Sequence, residues 1–146
     1  MKINLKHHPS EHGQSMVELA LTITILMILL AGVIDMGRAF FTYMAMRDAA
    51  QEGAAYGSLN PYDEHGIRAR VWDNLDQVVP DPDHPEIIHI QISAPEPRCL
   101  GSSITVNVNY PDFPLAMPFL GWILNSQTIP IRATIIDTVL RPTCGE

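Results

Sequence analysis

Lysine is almost missing from this sequence. The two that occur, Lys2 and Lys6, fall within the first six residues, and seven arginines are the only other basic side chains apart from histidine. Against them stand 16 acids, for a formal net charge of −7. A nucleic-acid surface is normally basic, so that class of partner is not expected. Cysteine is equally scarce. Cys99 and Cys144 are the whole supply, neither lies in a CxxC, and redox catalysis and zinc binding therefore lack support. No G-x-S-x-G, P-loop or HExxH occurs, which removes the common hydrolase, nucleotide and zinc-protease signatures. His65, His84 and His89 are scattered along the chain. No enzyme, cofactor or metal is expected. Asp81, Asp83 and Glu86 in DPDHPE could grip Ca²⁺ through hard oxygens, but solvated loop acids are the commoner outcome.

What is there begins with charge placement. Lys2 and Lys6 offset Glu11 and Glu18, so the whole −7 lies beyond Glu18. Directly after it, LALTITILMILLAGVI runs from Leu19 to Ile34, sixteen residues without a charge or a proline. At a rise of ~1.5 Å per residue it covers roughly 24 Å, and the preceding residues from Gln14 extend it to a spanning length. A helix satisfies its own backbone in lipid. The run is apolar on every face, which a helix buried against one side of a soluble core would not need. With lysine only before the run, the positive-inside rule puts the N-terminus in the cytoplasm and the body across the membrane. Asp35 and Arg38 close the span on the far side.

The helical pattern continues past Ile34, with no proline before Pro61. Met36, Phe40 and Tyr43 recur at helical spacing, with Ala50 and Ala54 further along the same side. Ala45, Ala49, Gly53 and Gly57 recur every fourth residue, a small-residue stripe that admits a close neighbour, either another helix or the protein's own domain. Gly57 followed by Pro61 predicts the stop. A second helix is predicted over 63–78, with Ile67, Val71, Leu75 and Val78 on one face. VVPDPDHPE then forms a surface loop. Three stretches alternate as strands with one covered face: 86–94, 103–110 and 128–140. Between the last two lies YPDFPLAMPFLGWILN, read as an apolar loop whose Phe113, Phe119 and Trp122 either cover the sheet or form a contact patch. In an oxidising compartment a Cys99–Cys144 disulfide is expected, closing a loop of about 46 residues worth ~3–4 kcal/mol in the chain-entropy model.

The stretch HG-QSMVE ahead of the apolar run resembles the class III prepilin signature, a short basic leader ending in glycine with glutamate at the fifth mature position. Over about residues 13–57 the chain resembles the TadE-like family, minor pseudopilins of tight adherence (Flp-type) pilus systems. The resemblance implies cleavage after Gly13 by a prepilin peptidase acting in trans, with Gln14 as the new N-terminus. It also implies that Glu18 pairs with a neighbouring subunit's terminal ammonium as helices pack. Inside an apolar bundle that pairing rewards correct register, because a misplaced partner leaves a buried charge costing several kcal/mol.

The expected protein is α+β and pilin-like. Residues 1–13 form a cytoplasmic leader, and 14–57 a long helix whose membrane part is about 14–34. Residues 58–146 form an extracytoplasmic domain with one short helix and a three- or four-stranded antiparallel sheet. Its expected setting is the bacterial inner membrane, its C-terminal domain periplasmic, with possible entry into a surface pilus. The expected partners are the peptidase, other pilus subunits, the inner-membrane assembly platform and membrane lipid. A secretory signal peptide fits poorly, since Glu18 would precede its apolar core and no A-x-A site follows Ile34. An uncleaved single-pass anchor carrying an envelope binding module is the remaining alternative.

Overall fold

The computed structural model of the chain describes residues 12–76, 87–117 and 125–143. Helix α1 runs without a break from His12 to Leu59, 48 residues, roughly 70 Å at the α-helical rise. Leu, Ile, Met and Ala dominate it, and two hydroxyls in its apolar run are absorbed locally. Thr22 and Thr24 donate to the carbonyls of Glu18 and Ala20, both at 2.8 Å, so neither hydroxyl needs an outside partner in lipid. Through Ile34 most of its large side chains are exposed, Ile25 and Leu26 by 60% and 63%.

The outer half of α1 packs on the domain. Met46, Ala49, Ala50 and Ala54 are fully buried. The covered line continues through Thr42 to Asp35, both buried. It therefore runs one residue earlier than the Met36–Phe40 line expected from spacing. Met36 and Phe40 are instead 77% and 64% exposed, because the faces on either side of the true line share Ala50 and Ala54. Gly57 does not cap the helix in a left-handed turn. It lies inside α1, and a Cβ there would meet Ile104 Cδ1 at 2.6 Å. Close packing is why glycine stands there.

Helix α2, Glu64–Leu75, is shorter than expected and starts at a built cap. Asp63 accepts from the Gly66 amide at 2.9 Å and from the Tyr56 hydroxyl at 2.8 Å. Three residues of its expected apolar face, Ile67, Val71 and Leu75, are fully buried against α1, and the fourth, Val78, lies outside the described residues.

Among the described residues, three antiparallel strands form a sheet in the order β1-β2-β3. They are His89–Ser93, Ser103–Pro114 and Thr128–Thr138. On β2, Ile104, Val106 and Val108 point into the core. On the other face Asn107 donates to Thr134 Oγ1 at 2.9 Å, and Arg132 Nε donates to Asn109 Oδ1 at 3.1 Å. Strand β2 runs four residues beyond the expected stop at Tyr110. Tyr110 pairs with Ile131 and Phe113 with Ile129, so Pro111 and Asp112 together face Pro130 in a bulge. Both prolines sit where the ladder is already interrupted, and on β3 Pro130 lies on an edge strand. Phe113 is thereby a core residue, 4% exposed, with its ring edge-on to Tyr110.

Candidate functional site

The N-terminal end of α1 carries the expected processing and pairing residues. Gly13, Gln14 and Glu18 are all exposed and helical. Among the described residues nothing lies within 4 Å of a Cβ built at Gly13, so packing against them does not demand glycine there. In a helix interior glycine costs ~1 kcal/mol relative to alanine. Gln14 and Glu18 are one turn apart, which puts their Cβ atoms about 5–6 Å apart.

The small-residue stripe packs against the chain's own domain. Ala49, Gly53 and Gly57 are buried and Ala45 is half-buried. A Cβ on Gly53 would overlap the Val71 side chain, and one on Gly57 would approach Ile67 Cδ1 to 3.1 Å. The absence of side chains lets α2 and β2 sit directly on the α1 backbone.

Sequence reasoning missed the device at the far end of the span. Asp35 is 4% exposed. Its Oδ1 accepts from the Ala116 amide at 3.0 Å, and its Oδ2 from the Met117 amide at 2.6 Å. Arg38 Nη1 lies 3.5 Å from Oδ1, and its guanidinium stacks 5.4 Å from the Phe113 ring. One turn closer to the N-terminus, the site of a Cβ on Gly32 is 3.7 Å from Met117 Sδ and Cε. The arm Leu115–Met117 leaving β2 is thus clamped across α1 where the apolar run ends. A charged residue closing an apolar helix was a visible signal. The identity of its partners was not.

A second anchor fixes the other end of the domain. Arg98 donates to the Pro61 carbonyl at 2.7 Å and to Glu64 at 3.1 Å, and lies over the Tyr62 ring. Arg68 donates to the Ile90 carbonyl at 2.6 Å, covering part of the exposed edge of β1. Cys99 is not a free thiol. Cys144, Phe119, Trp122 and the acids Asp81, Asp83 and Glu86 lie outside the described residues. Among the described residues no group of three or more His, Cys, Asp or Glu is placed to hold a metal.

These features define a class: an α+β protein with, among the described residues, one helix long and apolar enough to cross a membrane. The family model described as TadE-like protein matches residues 13–55. The match starts at the glycine of the prepilin-like signature and ends within the stripe that packs on the domain. No curated protein and no solved structure matches the chain.

Proposed function

We propose that this chain is a minor pseudopilin-like subunit that takes part in assembling an adhesive tight adherence pilus. In this reading the N-terminus is cytoplasmic and the domain periplasmic. A prepilin peptidase removes residues 1–13, and Gln14 becomes the mature N-terminus. The observation that carries the reading is Gly13, exposed and, among the described residues, unneeded for packing, five residues before the exposed Glu18 on an apolar helix. An exposed carboxylate at the lip of a membrane span is costly unless something pairs with it. A neighbour's terminal ammonium would do so, and other pilus subunits and the inner-membrane assembly platform are the partners this implies.

Intact mass and N-terminal sequencing of the membrane-extracted chain test the reading. The mature protein should begin at Gln14, and Gly13→Leu should retain all thirteen leader residues. A mature chain beginning at Met1 would overturn it and leave an uncleaved single-pass anchor with an envelope binding domain.

A further inference from the structure

A hydrocarbon core of about 30 Å needs about 20 helical residues. Leu19–Ile34 supplies sixteen, roughly 24 Å at the helical rise. Counting twenty residues from Leu19 reaches Arg38, and counting them from Gln14 reaches Val33. The outer lipid boundary therefore falls between Val33 and Arg38, at the level of Asp35, and Met117, packed near Gly32, lies within it.

Non-helical backbone at that depth is tolerated only when its polar groups are satisfied by protein. Five of the arm's six backbone polar groups, three amides and two carbonyls, meet that condition. The Leu115 amide donates to the Gln127 carbonyl at 2.9 Å, and the next two amides donate to Asp35. The Gln127 amide group reaches back to the carbonyls of Leu115 and Met117 at 3.5 and 3.4 Å. In water these groups would need no such provision. Asp35 also loses its cost at the boundary, because two amides and Arg38 surround it.

We propose that the arm Leu115–Met117 is a second lipid-contacting element, which seats the domain on the outer leaflet instead of holding it clear of the membrane. The occupant of its outer face is the bilayer surface, continuous with the lipid around α1. The side chain of Ala116, between two clamped amides, is exposed and faces that lipid. This rests on α1 being the membrane anchor.

The test uses the full chain in vesicles of phosphatidylethanolamine and phosphatidylglycerol. Trp72→Phe and Trp122→Phe clear the background, and single tryptophans are then introduced by Ala116→Trp, Leu26→Trp or Asp73→Trp. Acyl-brominated lipid and aqueous iodide serve as opposing quenchers. The Leu26→Trp probe should be quenched by bromolipid only, and the Asp73→Trp probe by iodide only. The Ala116→Trp probe should follow the first, with iodide quenching several-fold below that at position 73. Adding Asp35→Ala should shift the Ala116→Trp probe towards iodide and leave the Leu26→Trp probe unchanged. Asp35→Asn, which keeps the shape and one acceptor, should shift it less. Iodide access at 116 with bromolipid access at 26 overturns the seating while leaving the anchor intact. Iodide access at 26 overturns the anchor itself. Bromolipid access at 116 that survives Asp35→Ala overturns the clamp as its cause.

Discussion

The smallest unit that decides local order is the Asp63 carboxylate. Its pKa is held below the ordinary value of 3.8, first by the Gly66 amide and then by the Tyr56 hydroxyl. Tyr56 is raised above 10.0, chiefly because it donates to Asp63. A depressed carboxylate stabilises the fold above its unfolded pKa and loses that contribution as pH falls through its folded value. The loss therefore begins near pH 3.8 and continues below. The raised phenol contributes fully below 10.0 and loses its share as pH rises past its folded pKa. Thermal melts of the full chain in detergent should show both limbs, and Asp63→Ala should flatten both while lowering the plateau between them. A parent and variant with parallel pH profiles would show that this cap does not control either limb. Gly53 is the residue where packing and propensity disagree. Alanine would gain ~1 kcal/mol of helix propensity, but its Cβ would overlap Val71, and overpacking costs ~1–3 kcal/mol. Overlap should win. Gly53→Ala is expected to destabilise by about 1 kcal/mol in denaturant melts, and a gain would mean Val71 yields freely.

Among the elements, α1 was the most legible, because its charge-free run and the small residues at steps of four need only one sequence window to be read. The apolar face of α2 and the alternation of β2 were legible for the same reason. The β2–β3 register was not. Pro130 breaks the alternation within its own strand, and only the cross-strand pairing reveals that it opposes Pro111 and Asp112 in a bulge. Asp35 was legible as the end of the span but not as a clamp, since its amide partners lie 81 and 82 residues away. Gly13 and Glu18 are a third case: a resemblance pointed to them, and their roles rest on chemistry outside this chain. Glu18→Ala tests that chemistry at the level of the helix. Removing the carboxylate improves the apolar span, so insertion should be intact or better. Cleavage should largely survive, because the scissile bond lies five residues away, while pilus display and co-purification with other subunits should be lost. Glu18→Gln should fall between, keeping the shape without the charge. Parental display in Glu18→Ala cells would reduce the carboxylate to an interfacial bystander.

On the scale of the whole molecule, the domain is tied to its helix at two levels, and the C-terminal segment closes the upper one. The amides of Leu140 and Arg141 donate to the Ser58 carbonyl at 2.7 and 3.3 Å, joining the end of the chain to the end of α1. The Leu100 amide donates to the Pro142 carbonyl and the Gly101 amide to the Val139 carbonyl, both at 2.9 Å. Gly101 makes this turn at φ +91°, where a side chain would be strained. Pro142 stands two residues before Cys144, and Leu100 directly follows Cys99, so these bonds run beside the proposed Cys99–Cys144 disulfide. In the chain-entropy model that bond contributes ~3–4 kcal/mol by constraining the unfolded chain. The neighbouring hydrogen bonds act on the folded side and remain when the sulfurs are removed. Cys99→Ser/Cys144→Ser should therefore keep the native circular dichroism at low temperature yet melt earlier, by roughly 4–8 °C for each kcal/mol lost. Thiol labelling of the denatured, unreduced parent should find neither cysteine reactive. Labelling of both, with a double variant that melts like the parent, would show that the hydrogen bonds between Leu100–Gly101 and Val139–Pro142 hold this end of the domain alone.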